Sequence, residues 1–341
     1  MKVDGGLGQS PDIEKIAAQA RSQEAAGYDA VWTAETSHDP FLPIAVAAGH
    51  TERLEFGTGI AVAFARNPML LANLGWDLQA LTKGRFHLGL GTQIKPHITK
   101  RFSMEWSKPA ARMREMVEAI RAIWNTWENG EPLNHRGEFY QHRLMTPFFE
   151  PDKADLEGFG PPKIWLAAVG ELMSQTAGEV CDGIICHGFT TEKYLREVTI
   201  PNVAKGRERA GKSMDDFMIS GPFFVVSGQT DEEIDKAAAA TRQQIAFYGS
   251  TPAYAKVFEL HGWEGLHPEL NTLSKKGDWI AMGRLIDDEV LNTFAVVGEP
   301  ETIAPELKRR YGDVVDRISF YAPGQSDISS WRTVVEALKA S

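Results

Sequence analysis

The 341-residue chain predicts an α/β fold, a (β/α)8 barrel. Three observations point there. About eight short apolar strands alternate with helices over roughly 320 residues, the pattern of parallel strands joined by helical crossovers. The length suits one large barrel with insertions. The two halves echo each other: Ala26-Gly27 and then Asp29 precede Val31-Trp32, and Ala177-Gly178 and then Asp182 precede Ile184-Ile185. One domain over 1–341 is expected, with insertions near 95–107, 131–162 and 250–290. A doubly wound open sheet is the alternative.

The first strand is expected at residues 1–6. Ser10 as N-cap and Pro11 at the first helical position then open a helix, with Asp12 and Glu14 complementing its N-terminus. Its buried face is Ile13, Ile16, Ala17 and Ala20, and Gly27 stops it. A second strand at 29–32 ends in polar residues 33–38, and residues 40–49 form an apolar helix. The stretch 53–68, RLEFGTGIAVAFARNP, reads as a buried strand, because its apolar run is short and ends at a Pro that can start a helix. Gly57 and Gly59 inside it mark a bulge, or a place where a ligand nears the backbone; relief of crowding in a core strand is the other reading.

A helix over 68–81 and a fourth strand over 85–91 follow, then a loop carrying Lys95, His97, Arg101 and Trp106. After Ser107 comes the clearest helix: Met113, Met116, Val117, Ile120, Ile123, Trp124 and Trp127 keep the i, i+3, i+4, i+7 spacing of a core face. Residues 131–162 are polar and rich in Pro and Gly, an excursion with a hairpin. Strands at 163–169 and 182–185 enclose a helix ending at Gly178, and residues 192–211 are helical. An extended run at 217–227 and an Ala-rich helix from Thr230 to Gln244 lead into an irregular insertion at 251–288. A strand at 294–298, a helix from Pro300 to Tyr311, a strand at 316–321 and a closing helix at 331–340 complete the chain.

The net charge of −10 argues against nucleic acid or an anionic membrane as partner. No apolar run has the length of a membrane span, and the N-terminus lacks a signal-peptide core, so a cytoplasmic location is expected. Cys181 and Cys186 lie five apart on an expected strand, so they face opposite ways and do not pair. No G-x-G-x-x-G, P-loop, H-E-x-x-H or G-x-S-x-G occurs, and no metal is expected.

Function in a barrel sits at the C-terminal strand ends. Here these carry Glu35-Thr36-Ser37-His38, Gly59-Ile60-Ala61, Gly91-Thr92-Gln93, Val169-Gly170-Glu171 and His187-Gly188. Val169-Gly170-Glu171 enters a helix whose free N–H groups suit a phosphate, or it is an ordinary strand–helix turn. Glu35, Thr36, His38 and Asp39 gather two carboxylates and a histidine on one loop. His38 can serve as acid or base, or be merely solvated.

The motifs AGYDAVWTAE, LEFGTGIAVAFARNP, GRFHLGLGT, RGEFYQHRLMTPFF and IWLAAVGELMSQTAGEVCDGI cover most of residues 1–186. In this order they resemble the luciferase-like flavin and deazaflavin oxidoreductases, most closely the branch using the deazaflavin coenzyme F420. The resemblance implies the same barrel, often as a homodimer or higher homo-oligomer, acting on a small molecule. It implies a non-prolyl cis peptide at Gly59-Ile60 in a bulge backing the cofactor ring, with Ala61 beside it. It implies that Ala168, Val169, Gly170 and the following helix start hold the cofactor phosphate, and that Gly91-Thr92 line the ring or the ribityl chain. Two positions depart from the sugar-phosphate dehydrogenase branch. Its Asp-His pair is Glu35-Thr36 here, and a glutamate after the fourth strand is Ile94, so a sugar phosphate is not the expected substrate.

The expected function is therefore hydride transfer between F420 and a small organic substrate. Glu35 and Thr36 would contact the ring, with Glu35 and His38 as catalytic candidates. His97 shares the acid/base candidacy, and His97 and Trp106 would face the substrate. An FMN-dependent monooxygenase on the same fold and a non-catalytic cofactor-binding barrel are the alternatives.

Overall fold

The computed structural model describes residues 1–8, 10–325 and 328–340. Eight parallel strands follow one another: β1 (Lys2–Gly6), β2 (Ala30–Thr33), β3 (Glu55–Thr58), β4 (Phe86–Gly91), β5 (Lys163–Ala168), β6 (Gly183–Cys186), β7 (Met218–Ser227) and β8 (Arg317–Tyr321). Each pairs with the next. Then β8 returns to β1 through Lys2↔Arg317, Val3↔Ile318 and Asp4↔Ser319. The sheet is a closed barrel, which removes the open-sheet alternative. The strand Ala295–Gly298 lies outside this ring, paired only with the far end of β7.

Helices Pro68–Leu81 and Pro300–Tyr311 start at their prolines, where the missing N–H costs nothing. The Met/Trp stripe of the helix Pro109–Asn129 is buried throughout, and Gly130 ends it at a φ of 68°. Two expectations shift. The first helix begins at Ile13 with Asp12 as its cap, accepting from the N–H groups of Glu14 and Lys15, so Ser10 and Pro11 precede it and Ile13 is exposed. A carboxylate two or three residues from the first free amides caps better than a serine placed too early. Residues 251–288 are mostly helical, with helices at Ala255–Glu259, Leu266–Lys276 and Trp279–Arg284. Their apolar residues, among them Phe258, Leu270 and Met282, pack with Phe189, Phe224 and Phe294 into a hydrophobic cluster separate from the main core. The hairpin of the insertion after Gly130 pairs His135–Arg136 with Gln141–His142. It is tied to the long helix by Glu115, which accepts from the N–H groups of Glu138, Phe139 and Tyr140.

Cys181 precedes β6 and Cys186 ends it. Both are free and buried, and burial pushes both thiols up to about 12. Among the described residues no helix is long and apolar enough to cross a membrane.

The N-terminal half of the barrel lumen is charged. Arg317 on β8 grips both carboxylate oxygens of Asp4 at 2.7 and 2.8 Å and donates to Glu55 at 2.6 Å. Since β3 and β8 are not neighbours in the sheet, the Arg317–Glu55 bond crosses the lumen. Trp32 Nε1 donates to Asp4, Lys2 Nζ reaches Glu55, and His87 Nε2 lies 3.2 Å from Glu55. Asp4 and Arg317 are each about 1% exposed. Breaking such a buried pair costs about 3–5 kcal/mol, because the remaining charge loses its partner without regaining water. Burial alone would raise the Glu55 carboxyl. The His87 hydrogen bond, the Arg317 guanidinium and Lys2 override it and hold the group well below the usual carboxylate range.

Folding therefore lowers this pKa, so the stabilisation is complete above the unfolded value of about 4.3 and is lost as pH falls below it. Denaturant titrations between about pH 5 and pH 3 should show the wild type losing stability more steeply than Glu55→Gln, by up to ~1.4 kcal/mol per pH unit. Equal slopes would mean that Glu55 carries no such linkage.

Candidate functional site

The peptide bond Gly59-Ile60 is cis and sits where β3 breaks off. Pairing with β4 resumes at once through Ala61↔Leu90 and Val62↔Gly91. The loop after β2 holds this bulge from one side. Gly59 N–H donates to Thr33 O at 2.6 Å, and Glu35 N–H donates to Ile60 O at 3.1 Å. The Glu35 carboxylate accepts from Val62 N–H at 2.7 Å and from Arg66 Nη1 at 2.5 Å. Arg66 also bonds Asp39 at 3.2 Å and lies over the Phe41 ring.

Missing side chains shape the other side. A Cβ at Gly89 would lie 1.7 Å from the Thr58 carbonyl oxygen, a contact no rotamer can relieve. At Gly57 it would strike the Trp32 ring at 2.4 Å, and at Gly91 it would meet Ile60. The glycines of the third and fourth strands thus let the bulge fold inward, as the bulge reading of Gly57 and Gly59 requires.

The other sequence-nominated residues lie around this mouth. Thr36 and His38 are exposed on the loop after β2, and Thr36 O accepts from Arg101. His97 opens the helical turn His97–Arg101 and is exposed. Trp106 is half-buried, edge-on to Phe64 at 5.7 Å. Arg112 lies over the same Phe64 ring, holds Glu105 O at 2.7 Å and donates to Tyr140, so it ties both insertions to the barrel. Gly91 closes β4, and Thr92 donates to the carbonyl of Gln93. Ala168 ends β5, and Gly170 has a φ of 76° ahead of the helix Glu171–Val180. The first amides of that helix follow Gly170, whose added Cβ would meet nothing within 4 Å. Their field contributes about 0.3–1 kcal/mol to an anion at an exposed site, enough to orient it.

The sequence reading placed His187 at a strand end but not the aromatic residues around it. His187, at the end of β6, stacks on Tyr254 at 4.6 Å and meets Tyr248 edge-on at 4.7 Å. Its Nδ1 accepts from Phe189 N–H. Burial pushes the His187 ring down to about 4 and the Tyr254 hydroxyl up to about 12. The hydroxyls of Tyr248 and Tyr321 are bonded at 2.8 Å. Tyr321 also borders a cleft of about 460 Å³ at the mouth, whose wall includes Gly5, Gly6, Trp32, Gly59 and Ser220. No local motif marks this cluster, because its members come from β6, β8 and the segment after β7. Only the aromatic content of 248–258 hinted at it.

Residues 1–317 match the family of luciferase-like monooxygenases. The chain belongs to that family. This agrees with the resemblance carried by the motifs of residues 1–186. Among its relatives, an uncharacterized protein of Mycobacterium tuberculosis is 52% identical over 332 residues, covering 97% of this chain and 96% of that one. The 5,10-methylenetetrahydromethanopterin reductase of Archaeoglobus fulgidus is 27% identical over 313 residues, covering 89% and 88%. Two solved structures of this luciferase-like fold show the architecture at low identity. The coenzyme F420 dependent tetrahydromethanopterin reductase of Methanopyrus kandleri superposes with a TM-score of 0.78 at 19% identity, over 98% of this chain and 97% of that one. The oxygenating constituent of the 3,6-diketocamphane monooxygenase of Pseudomonas putida, solved with FMN, gives 0.68 at 17%, over 100% and 97%.

The low His187 pKa rests on the rings around it. Removing one wall with Tyr254→Ala should move the ring's titration from about 4 toward the solvent value of about 6.5. An NMR pH titration of histidine-labelled protein reads this, and an unmoved midpoint would mean that Tyr254 does not shield the ring.

Proposed function

We propose that the chain is a coenzyme F420-dependent oxidoreductase, moving a hydride between the cofactor and a small organic substrate. The observation that carries this reading is the bulge after β3, backbone cleared of side chains by Gly57, Gly89 and Gly91 and bordering the cleft at the mouth. The residues present fit a deazaflavin. Gly59, Ile60 and Ala61 would back its ring, Gly91 and Thr92 would line the ring or the ribityl chain, and Ala168, Val169, Gly170 and the next helix start would take the phosphate. Bound there, the cofactor supplies a hydride acceptor or donor at C5.

The chain's own residues supply geometry and protons. Glu35 is committed to Val62 N–H and Arg66, so its part is to hold the bulge. Thr36 would contact the ring. His38, exposed on the same loop, is the acid/base, and His97 and Trp106 lie on the substrate side. The reductase relative at 27% identity, and the F420-dependent neighbour with the higher TM-score, support the deazaflavin. The FMN-bound neighbour supports a second reading, a monooxygenase fed reduced FMN.

Fluorescence titration of the purified protein with F420 and, separately, with FMN tests this. F420 should bind at least about tenfold more tightly, and a preference for FMN overturns the reading. With a substrate found by screening, His38→Ala should lower kcat by about 10²–10⁴ while leaving F420 affinity nearly unchanged. Unchanged turnover removes His38 from the mechanism.

A further inference from the structure

The segment from Lys95 to Arg101 carries Lys95, His97, Lys100 and Arg101 and no carboxylate, in a chain whose net charge is −10. It is wound tightly. Phe102 N–H donates five residues back to His97 O at 3.0 Å, and Met104 N–H donates to Ile98 O at 2.9 Å. Turns closed over five residues are rare and occur frequently at functional sites. Ile98 is buried in the main core, which leaves the four basic residues on the outside, all exposed. Arg101 anchors the turn to the mouth: its Nη2 donates to Thr36 O, two residues along the loop from His38.

The protein does not balance these charges itself. Among the described residues Lys95, Lys100 and Arg101 form no ion pair, while the carboxylates of the neighbouring loop are taken, since Glu35 and Asp39 both bond Arg66. The one carboxylate of residues 92–107, Glu105, pairs with none of the three. The Arg101 guanidinium is also oriented. It lies over the Phe102 ring at 4.9 Å, with one nitrogen held by the Thr36 carbonyl. A guanidinium has five N–H donors, so with one used an edge of paired donors remains for the two oxygens of a carboxylate or phosphoryl group. The two lysines add positive charge on the same turn without fixing orientation. Like charges crowded on one short turn repel, and an anion bound among them relieves that repulsion. Exposed lysines alone are ordinary surface. The oriented arginine, and positive charge left unbalanced in an acidic chain, set this turn apart.

We propose that residues 95–101 form an anion-recognition element on the rim of the mouth, and that the substrate is a small molecule whose carboxylate or phosphoryl group is taken by Arg101, Lys95 and Lys100. The hydride chemistry rests on the preceding reading; the charge preference does not. The probes are succinate and its uncharged counterpart, succinamide. In backbone amide NMR of the purified full chain without cofactor, succinate should bind saturably and shift the signals of residues 36–39 and 95–102, and succinamide should leave them in place. Lys95→Gln combined with Lys100→Gln removes two charges, and Arg101→Lys keeps the charge but loses the paired donors. Each should weaken succinate about tenfold with the melting temperature unchanged. Equal shifts by succinamide, shifts scattered over lysines elsewhere, or undiminished affinity in either variant overturns the assignment. The cofactor phosphate is the other source of negative charge. With F420 in place succinate should still shift the rim. If F420 displaces it and the double lysine variant also loses F420 affinity, the rim serves the cofactor and the substrate assignment falls. If succinate binds while F420 does not, the cofactor reading falls and the rim stands.

Discussion

The rest of the barrel depends on one buried cation. Arg317, at the first position of the last strand, is bound by Asp4 of the first strand and Glu55 of the third. Closing a sheet into a barrel requires the last strand to meet the first in one register. Here the register is marked by a fork of hydrogen bonds that a one-residue slip would break. A hydrophobic lumen would stabilise closure without discriminating among registers. The charged layer also has a spatial effect: it fills the N-terminal part of the lumen with side chains, while toward the mouth Gly6, Gly59 and Ser220 border a cleft.

Above that layer the chain works by omission. Gly57 makes room for Trp32, and Gly89 makes room for the Thr58 carbonyl. What the glycines leave loose, Glu35 and Arg66 hold, because a carboxylate that accepts a bulge amide and a guanidinium together has little freedom to move. Backbone forms the surface, and an ion pair beside it sets its position. Rigid support around an exposed backbone face is what a bound planar cofactor needs from its protein.

Much of this was legible in the sequence, and the failures have physical causes. The helices Pro68–Leu81 and Pro300–Tyr311 were readable to the residue because proline and the following apolar period are local signals. Parallel strands with helical crossovers were readable from alternation, strand count and length favoured a barrel, and the β1–β8 pairing decided it against the open sheet. The cis bond at Gly59-Ile60 was reached through family resemblance, since nothing in a run of Gly, Ile and Ala distinguishes cis from trans. Two caps competed at the first helix, and the carboxylate of Asp12 prevailed over the hydroxyl of Ser10. Residues 251–288 read as irregular because their helices are short and bury their apolar residues against one another. His187 with its tyrosines, and Gln23 with its unpartnered oxygen, are products of tertiary contact and leave no mark at the level of spacing.

The separate cluster over the mouth has an evolutionary corollary. Phe258, Leu270, Met282 and Val290 bury one another and touch the barrel through Phe189, Phe224, Val226 and Ala295. A segment that carries most of its own core can be lengthened, replaced or redecorated at little expense to the scaffold beneath, since few of the ring's contacts would need to change with it. The charged lumen and the glycine-cleared bulge have no such freedom. Descent from one ancestor would then leave the redox machinery nearly constant while the roof diversified, and the chemistry of what enters would drift faster than the chemistry done to it.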